Sequence, residues 1–253
     1  MRILITILLI YIGTGAFLYL FQNSFIYFPT PKFEHQFDEE TFVFDDAVVN
    51  VLIANKGKPK AILYFGGNGE AVEYSAPELA KDLPDFAIYL VQYRGYGGST
   101  GEPSEKGIYS DALYIFDKLK QDHSEIHVIG RSLGSGVATL VASKREVTKL
   151  VLITPFDSVE SVAQKIYPIF PVSLLLKEKY NSIGRVESIK AKTLALIAED
   201  DKVIKKIHSE KLANKFNQSQ ITKVVIANVG HNSISNNRQY NKALNDFFES
   251  NNN

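Results

Sequence analysis

Ser132 stands at the centre of Gly130-Arg131-Ser132-Leu133-Gly134, between the apolar run Ile126 to Ile129 and the small-residue segment Ser135 to Ala142. A serine at a tight turn from strand into helix is a nucleophile elbow, which thrusts the hydroxyl above the sheet edge at a helix N-terminus. Such a turn is strained, and glycine two residues to either side leaves room for the close approach of strand and helix. The chemistry it points to is covalent acyl transfer. Gly97, Gly98, Ser99, Thr100 and Gly101 spell the same pattern. They lie in a glycine-rich loop, however, and Glu102 and Pro103 follow where a helix should begin. Context therefore ranks Ser132 above Ser99.

A serine nucleophile needs a base and an orienting acid, which on a strand-helix architecture follow it in the order acid, then histidine. Two histidines lie beyond Ser132. His208 falls inside the helical pattern Lys205 to Phe216 and reads as a partly buried helix residue. His231 follows the apolar run Val224 to Ala227 in the loop Asn228-Val229-Gly230, where an imidazole can reach over a nucleophile. His231 is therefore the expected base. The acid is due where Thr193 to Ala198 runs into Glu199, Asp200 and Asp201. Like-charge repulsion requires at least one of the three to face solvent, and chain order alone does not choose among them. Oxyanion donors complete the set. One is the backbone N–H of Leu133, the residue after the nucleophile. The second is expected in Gly66-Gly67-Asn68-Gly69, where three glycines after the run Ala61 to Phe65 leave amides open to close approach.

The elements that must hold these residues alternate along the chain. Val48 to Ile53, Ala61 to Phe65, Ala87 to Val91, Ile126 to Ile129, Leu150 to Ile153, Thr193 to Ile197 and Val224 to Ala227 are short Ile-, Val- and Leu-rich runs. They suit strands buried on both faces of a mostly parallel sheet. Ala71 to Asp82, Tyr109 to Lys120, Ser135 to Lys144, Lys205 to Phe216 and Gln239 to Phe248 have the spacing of helices packed on it. No internal repeat is present, and Asn251 to Asn253 reads as a frayed tail.

With 253 residues and a formal net charge of zero, the chain buries one large core and has no electrostatic bias toward nucleic acid. Ile3 to Phe21 is uncharged and apolar, and no charged side chain recurs until Lys32. That is long enough to span a bilayer. Bulky Phe17 to Phe21 continues where a cleaved signal would show a small-residue site, so an uncleaved anchor is expected. Arg2 before the span and Lys32 after it place the N-terminus in the cytoplasm and the bulk of the chain on the extracytoplasmic, periplasmic side. The expected organisation is an anchor and connector over 1–30 and one catalytic-size domain over 31–253. No cysteine is present, which rules out a lipoprotein thioether and disulfides.

Five blocks carry a family resemblance: ILYFGGNGE at Ile62 to Glu70, YRGYGGSTGEPSEKGIYSDA at Tyr93 to Ala112, GRSLGSGVA at Gly130 to Ala138, EDDKVI at Glu199 to Ile204 and GHN at Gly230 to Asn232. The chain resembles the Bem46-like, membrane-anchored serine hydrolases of the α/β-hydrolase superfamily, related to the ABHD13 and ABHD17 type proteins. FQNSFIYFP at Phe21 to Pro29 resembles the segment after the anchor in such proteins. The resemblance implies an α/β-hydrolase fold, with a mostly parallel eight-stranded sheet and helices on both faces, preceded by one N-terminal transmembrane helix. By position it implies Ser132 as nucleophile, His231 as base, Asp201 as acid, and Leu133 and Asn68 as oxyanion donors. The family often has His where Gly66 stands, a departure that leaves the amide donors in place. Arg94, Glu105 and Asp111 are expected to brace the glycine-rich loop.

The chemistry expected is hydrolysis of a carboxylic ester or thioester through an acyl-enzyme, without metal or cofactor. A peptidase or amidase, or a membrane-tethered binding module with an idle triad, is the alternative. Phe156 to Lys190, with apolar Ile166 to Pro171 and Leu174 to Leu176, forms a small lid or packs into the core. A lid and a membrane tether would favour lipid-like esters or acylated proteins as substrates.

Overall fold

The computed structural model describes residues 1–250; the tail Asn251 to Asn253 lies outside the described residues. Eight strands form a single sheet: β1 (Asp38–Phe44), β2 (Ala47–Ala54), β3 (Lys60–Phe65), β4 (Phe86–Val91), β5 (Glu125–Arg131), β6 (Lys149–Ile153), β7 (Lys192–Ala198) and β8 (Ile221–Ile226), in the order β1-β2-β4-β3-β5-β6-β7-β8. The pairs β1–β2 and β2–β4 are antiparallel, and every pair from β4 through β8 is parallel. Both faces of the central strands are covered, which is why they read as continuous apolar runs. On one face α3 (Glu105–Leu119) and α4 (Leu133–Lys144) bury Ile108, Ile115, Val137 and Val141. On the other, α2 (Val72–Asp82) and α8 (Arg238–Glu249) bury Ala76, Leu79, Tyr240 and Leu244.

All seven apolar runs form strands, and the eighth, β1, has a different character. Asp38, Glu39 and Glu40 open it, and only Phe42 is buried. Its backbone pairs with β2 at the sheet edge and presents charge outward, as an edge strand must to discourage pairing with other chains. Helix α3 starts four residues before the apolar periodicity does, because Ser104 caps it by accepting from Gly107 N at 3.1 Å.

Ahead of the sheet runs α1 (Arg2–Ile26), 25 residues that include an 18-residue window of mean hydropathy 2.3, long and apolar enough to cross a membrane. At about 1.5 Å per residue it exceeds the roughly 30 Å of a bilayer core. Between β6 and β7 the chain makes an excursion through α5 (Val159–Ile166), α6 (Val172–Leu175) and a 3-10 turn over Ile183–Ser188, crossing above the sheet on the side where α1 ends.

His127 in β5 sits edge-on to Phe86 and Phe248, 5.1 and 5.4 Å away between ring centres, and neither ring nitrogen has a hydrogen-bond partner among the described residues. Burial pushes its pKa down to about 4, with Glu125 pulling the other way and Lys149 and Lys60 adding to the lowering. Unfolded, the same ring titrates near 6.5. Between those values the unfolded chain binds the extra proton, so the stability is present above 6.5 and is lost as pH falls toward 4, by about 3 kcal/mol. Urea titrations at pH 7 and pH 4.5 are expected to show this loss in the native chain and a much smaller one in His127→Phe. An equal loss in both would assign the acid sensitivity elsewhere.

Candidate active site

Four of the strands end at one rim, and each contributes to a single constellation. Ser132 follows β5, Asp201 follows β7, His231 follows β8, and Asn68 lies in the turn after β3. Strand order reverses at β5, since β3 has β4 on one side and β5 on the other while later strands extend outward from β5. The carboxyl ends at such a reversal open a crevice that neighbouring loops can line.

The elbow is built from sterics. Ser132 has φ 48° and ψ −115°, a left-handed conformation costly for a residue with a side chain. A Cβ on Gly134 would lie 2.6 Å from Gly66 O, and one on Gly130 would lie 2.6 Å from Ala138 Cβ, so the glycines are what lets α4 sit down on β3 and β5. Ser132 N donates to Ile153 O at 2.9 Å, which ties the turn to β6.

His231 Nε2 lies 2.9 Å from Ser132 Oγ, and His231 Nδ1 lies 2.7 Å from Asp201 Oδ2. Asp201 is buried, and its other oxygen accepts from Val203 N and Ile204 N, both at 2.8 Å. Glu199 and Asp200 are exposed, and Glu199 faces Lys206 at 3.7 Å. Of the three adjacent carboxylates, the one turned inward by two backbone donors is the one that meets the imidazole. His208 is elsewhere: its Nδ1 lies 2.8 Å from Asp157, a buried carboxylate that also accepts from Lys211 at 2.6 Å. Ser99 is buried and committed to the backbone, donating to Gln92 O at 2.8 Å and accepting from Asn50 N at 2.9 Å.

The Leu133 and Asn68 backbone N–H groups take no hydrogen-bond acceptor among the described residues, and both residues line the same cavity as Ser132. Their loop is held by residues that the sequence reading did not single out. Glu70 accepts from Gly67 N at 2.6 Å and from Tyr64 and Ser75, each at 2.6 Å. Tyr93 donates to Gly66 O at 2.8 Å, and Tyr96 donates to Asn68 Oδ1 at 2.8 Å. The two tyrosines frame Arg94 in the YRGYGG block, so that block serves the loop after β3. Arg94 grips Asp111 through two 2.8 Å hydrogen bonds. Glu105 braces a different place, accepting from Lys179 N at 2.6 Å and pairing with Arg185.

Above Ser132 opens a cavity of about 320 Å³, lined almost wholly by apolar side chains. Phe156, Val159, Ala163, Phe170 and Leu176 form one side, from the excursion between β6 and β7. The end of α1 forms another. Among the described residues no group of three or more His, Asp or Glu is arranged to hold a metal ion.

The strand order and the helices on both faces are those of the α/β-hydrolase fold. A family model described as the alpha/beta hydrolase fold matches residues 60–180. An uncharacterized protein of Mycobacterium tuberculosis is 35% identical over 182 residues, covering 70% of this chain and 64% of its own. Lysophosphatidylserine lipase ABHD12 of Bos taurus is 34% identical over 166 residues, covering 56% of this chain and 42% of its own. The chain thus spans less than two thirds of the length of these relatives. The solved esterase Pf2001 of Pyrococcus furiosus superposes with a TM-score of 0.69 at 17% identity, covering 88% of this chain and 97% of that one, a likeness of fold alone. The chain has the α/β-hydrolase fold.

Proposed function

We propose that this protein is a membrane-anchored serine hydrolase that cleaves carboxylic esters or thioesters of lipid-like acyl groups. The observation that carries the reading is the hydrogen-bonded chain Asp201–His231–Ser132 at the floor of an apolar cavity. In this reading Ser132 Oγ attacks the substrate carbonyl while His231 Nε2 takes its proton, and Asp201 holds the imidazole and stabilises its charge. The N–H groups of Leu133 and Asn68 receive the developing oxyanion. His231 then returns the proton to the leaving alcohol or thiol, and water repeats the sequence to free the acid. The ABHD12 relative, by its name a lipase of lysophosphatidylserine, supports an acyl-lipid substrate. A cavity at the small end of the roughly 300–1,000 Å³ range of ligand sites suits a single acyl chain. Helix α1 supports anchoring in the membrane, and Arg2 at its start supports a hydrolase domain on the extracytoplasmic side. Protease added to spheroplasts should then digest that domain; full protection would reverse the orientation.

The direct test is labelling with a fluorophosphonate probe. The native chain is expected to label and Ser132→Ala to remain unlabelled, with hydrolysis of p-nitrophenyl esters falling by at least about 10³-fold. Absence of label on the native chain, with no ester turned over, would leave the arrangement catalytically idle.

A further inference from the structure

Resting on the hydrolase reading, the structure points to a second role for the membrane helix. We propose that α1 is the acyl-selecting wall of the active site, with Leu18, Gln22 and Phe25 as specificity-determining residues. These three are spaced i, i+4 and i+7, so they form one stripe along the helix, and all three line the cavity that Ser132 opens into. Tyr19 and Ile26 flank the stripe on the same face, whereas Leu20 points away and is 72% exposed.

The helix is docked against the domain, as a wall must be. Gln22 opens the polar run Gln22-Asn23-Ser24 near the end of α1 and is the residue of that helix buried against the domain, where an amide is costly unless satisfied. Here Oε1 accepts from Lys177 N at 2.7 Å and Nε2 donates to Leu175 O at 3.2 Å and to Tyr19 O at 2.7 Å. The glutamine therefore pins α1 to the segment after α6. Higher up, Tyr11 donates to Ile169 O at 2.9 Å and stacks on Phe170 at 4.9 Å. At the lower end Ile26 O accepts from Asn68 Nδ2 at 2.6 Å, and Phe28 N donates to Asn68 Oδ1 at 2.9 Å. The end of the membrane helix thus rests on the loop that carries the second oxyanion donor.

From Ile26 beside Asn68 to Leu18 the helix rises about 12 Å, the reach of a medium-length acyl chain. A chain bound at Ser132 runs up the stripe toward the part of α1 that lies in lipid. The substrate therefore comes from the bilayer with its tail leading along the anchor.

The test uses the whole chain in detergent micelles and p-nitrophenyl esters from butyryl to tetradecanoyl. Leu18→Trp closes the upper end of the stripe and is expected to lower the ratio of decanoyl to butyryl kcat/KM by about 10–50-fold, the effect of leaving a few methylenes unburied. Leu18→Ala should move the optimum to longer chains, and Leu20→Trp, on the outer face, should leave the profile as in the native chain. A second arm does not depend on turnover: decanoic acid with a terminal diazirine is photo-crosslinked to the Ser132→Ala chain. Crosslinks on Leu18, Gln22 or Phe25 that excess decanoic acid competes away support the wall even if no ester is hydrolysed. Crosslinks confined to Leu20 and the other outward residues, or to α5 and α6 alone, overturn it, as does a chain-length profile indifferent to both Leu18 variants, while the fluorophosphonate label tells separately whether the hydrolase reading stands.

Discussion

Asp201→Asn is expected to lower kcat for ester hydrolysis by about four orders of magnitude while leaving KM and the folded state little changed. The size of the effect follows from a forced orientation. Asp201 Oδ1 accepts from Val203 N and Ile204 N, each at 2.8 Å, so the oxygen of an asparagine amide must occupy that position. Its NH2 group then faces His231 Nδ1, where the carboxylate oxygen now lies 2.7 Å away. An amide nitrogen there donates, which requires Nδ1 to be the acceptor and puts the imidazole proton on Nε2. Nε2 is the atom 2.9 Å from Ser132 Oγ, and once protonated it has no lone pair with which to receive the serine proton. Charge stabilisation of the imidazolium is lost at the same time. Steady-state kinetics with a p-nitrophenyl ester checks this, with circular dichroism to verify the fold. Retention of activity within tenfold would mean that Asp201 does not orient the base.

The parts of this site legible in the sequence are those that sterics dictates. Gly130 and Gly134 are required because α4 sits so close to β5 and β3 that any side chain would strike backbone or Ala138, so the elbow announces itself in residue type and spacing. The central strands are legible for a similar reason, since burial on both faces leaves no polar positions. Features decided by a choice among equivalents are not legible. Glu199, Asp200 and Asp201 carry the same charge in the same turn, and what separates them is which one the backbone N–H groups of Val203 and Ile204 turn inward. Strand β1 escapes because an edge strand takes its order from backbone pairing with β2 and carries acidic side chains outward. Glu70 escapes because a lone glutamate after a glycine turn has no pattern, although it holds the loop of Asn68 through Gly67 N. Hydropathy shows that α1 is long enough to span a membrane but is blind to which face meets protein. What turns one face toward protein is seen only in the structure, where Gln22, first of the polar run Gln22-Asn23-Ser24, is buried against the segment after α6.

The largest effect on stability is expected at the ion pair beneath the glycine-rich loop. Arg94 and Asp111 have side chains 5% and 3% exposed, joined by two hydrogen bonds of 2.8 Å. Gly107 is part of the same device, because a Cβ there would lie 2.6 Å from the guanidinium. Asp111→Ala removes one charge and leaves the other in the interior, where its remaining acidic partner is Asp46, 3.0 Å away but 74% exposed. Breaking a buried pair from one side costs about 3–5 kcal/mol, most of it the burden of the orphaned charge and little of it lost attraction. Urea unfolding should show that loss. The loop between Tyr93 and Tyr96 brackets Arg94 and carries the hydroxyls that hold Gly66 and Asn68, so turnover should also fall under conditions where the variant remains folded. The double variant Arg94→Met/Asp111→Leu removes both charges and fills similar space, and it is expected to regain most of the stability. Recovery of turnover need not follow, because methionine offers Asp46 no partner and the loop loses its fixed guanidinium. Stability regained without turnover would identify the pair as a positioning element for the oxyanion loop, whereas a single-variant loss below about 1 kcal/mol would show that solvent reaches the arginine and that the burial argument fails.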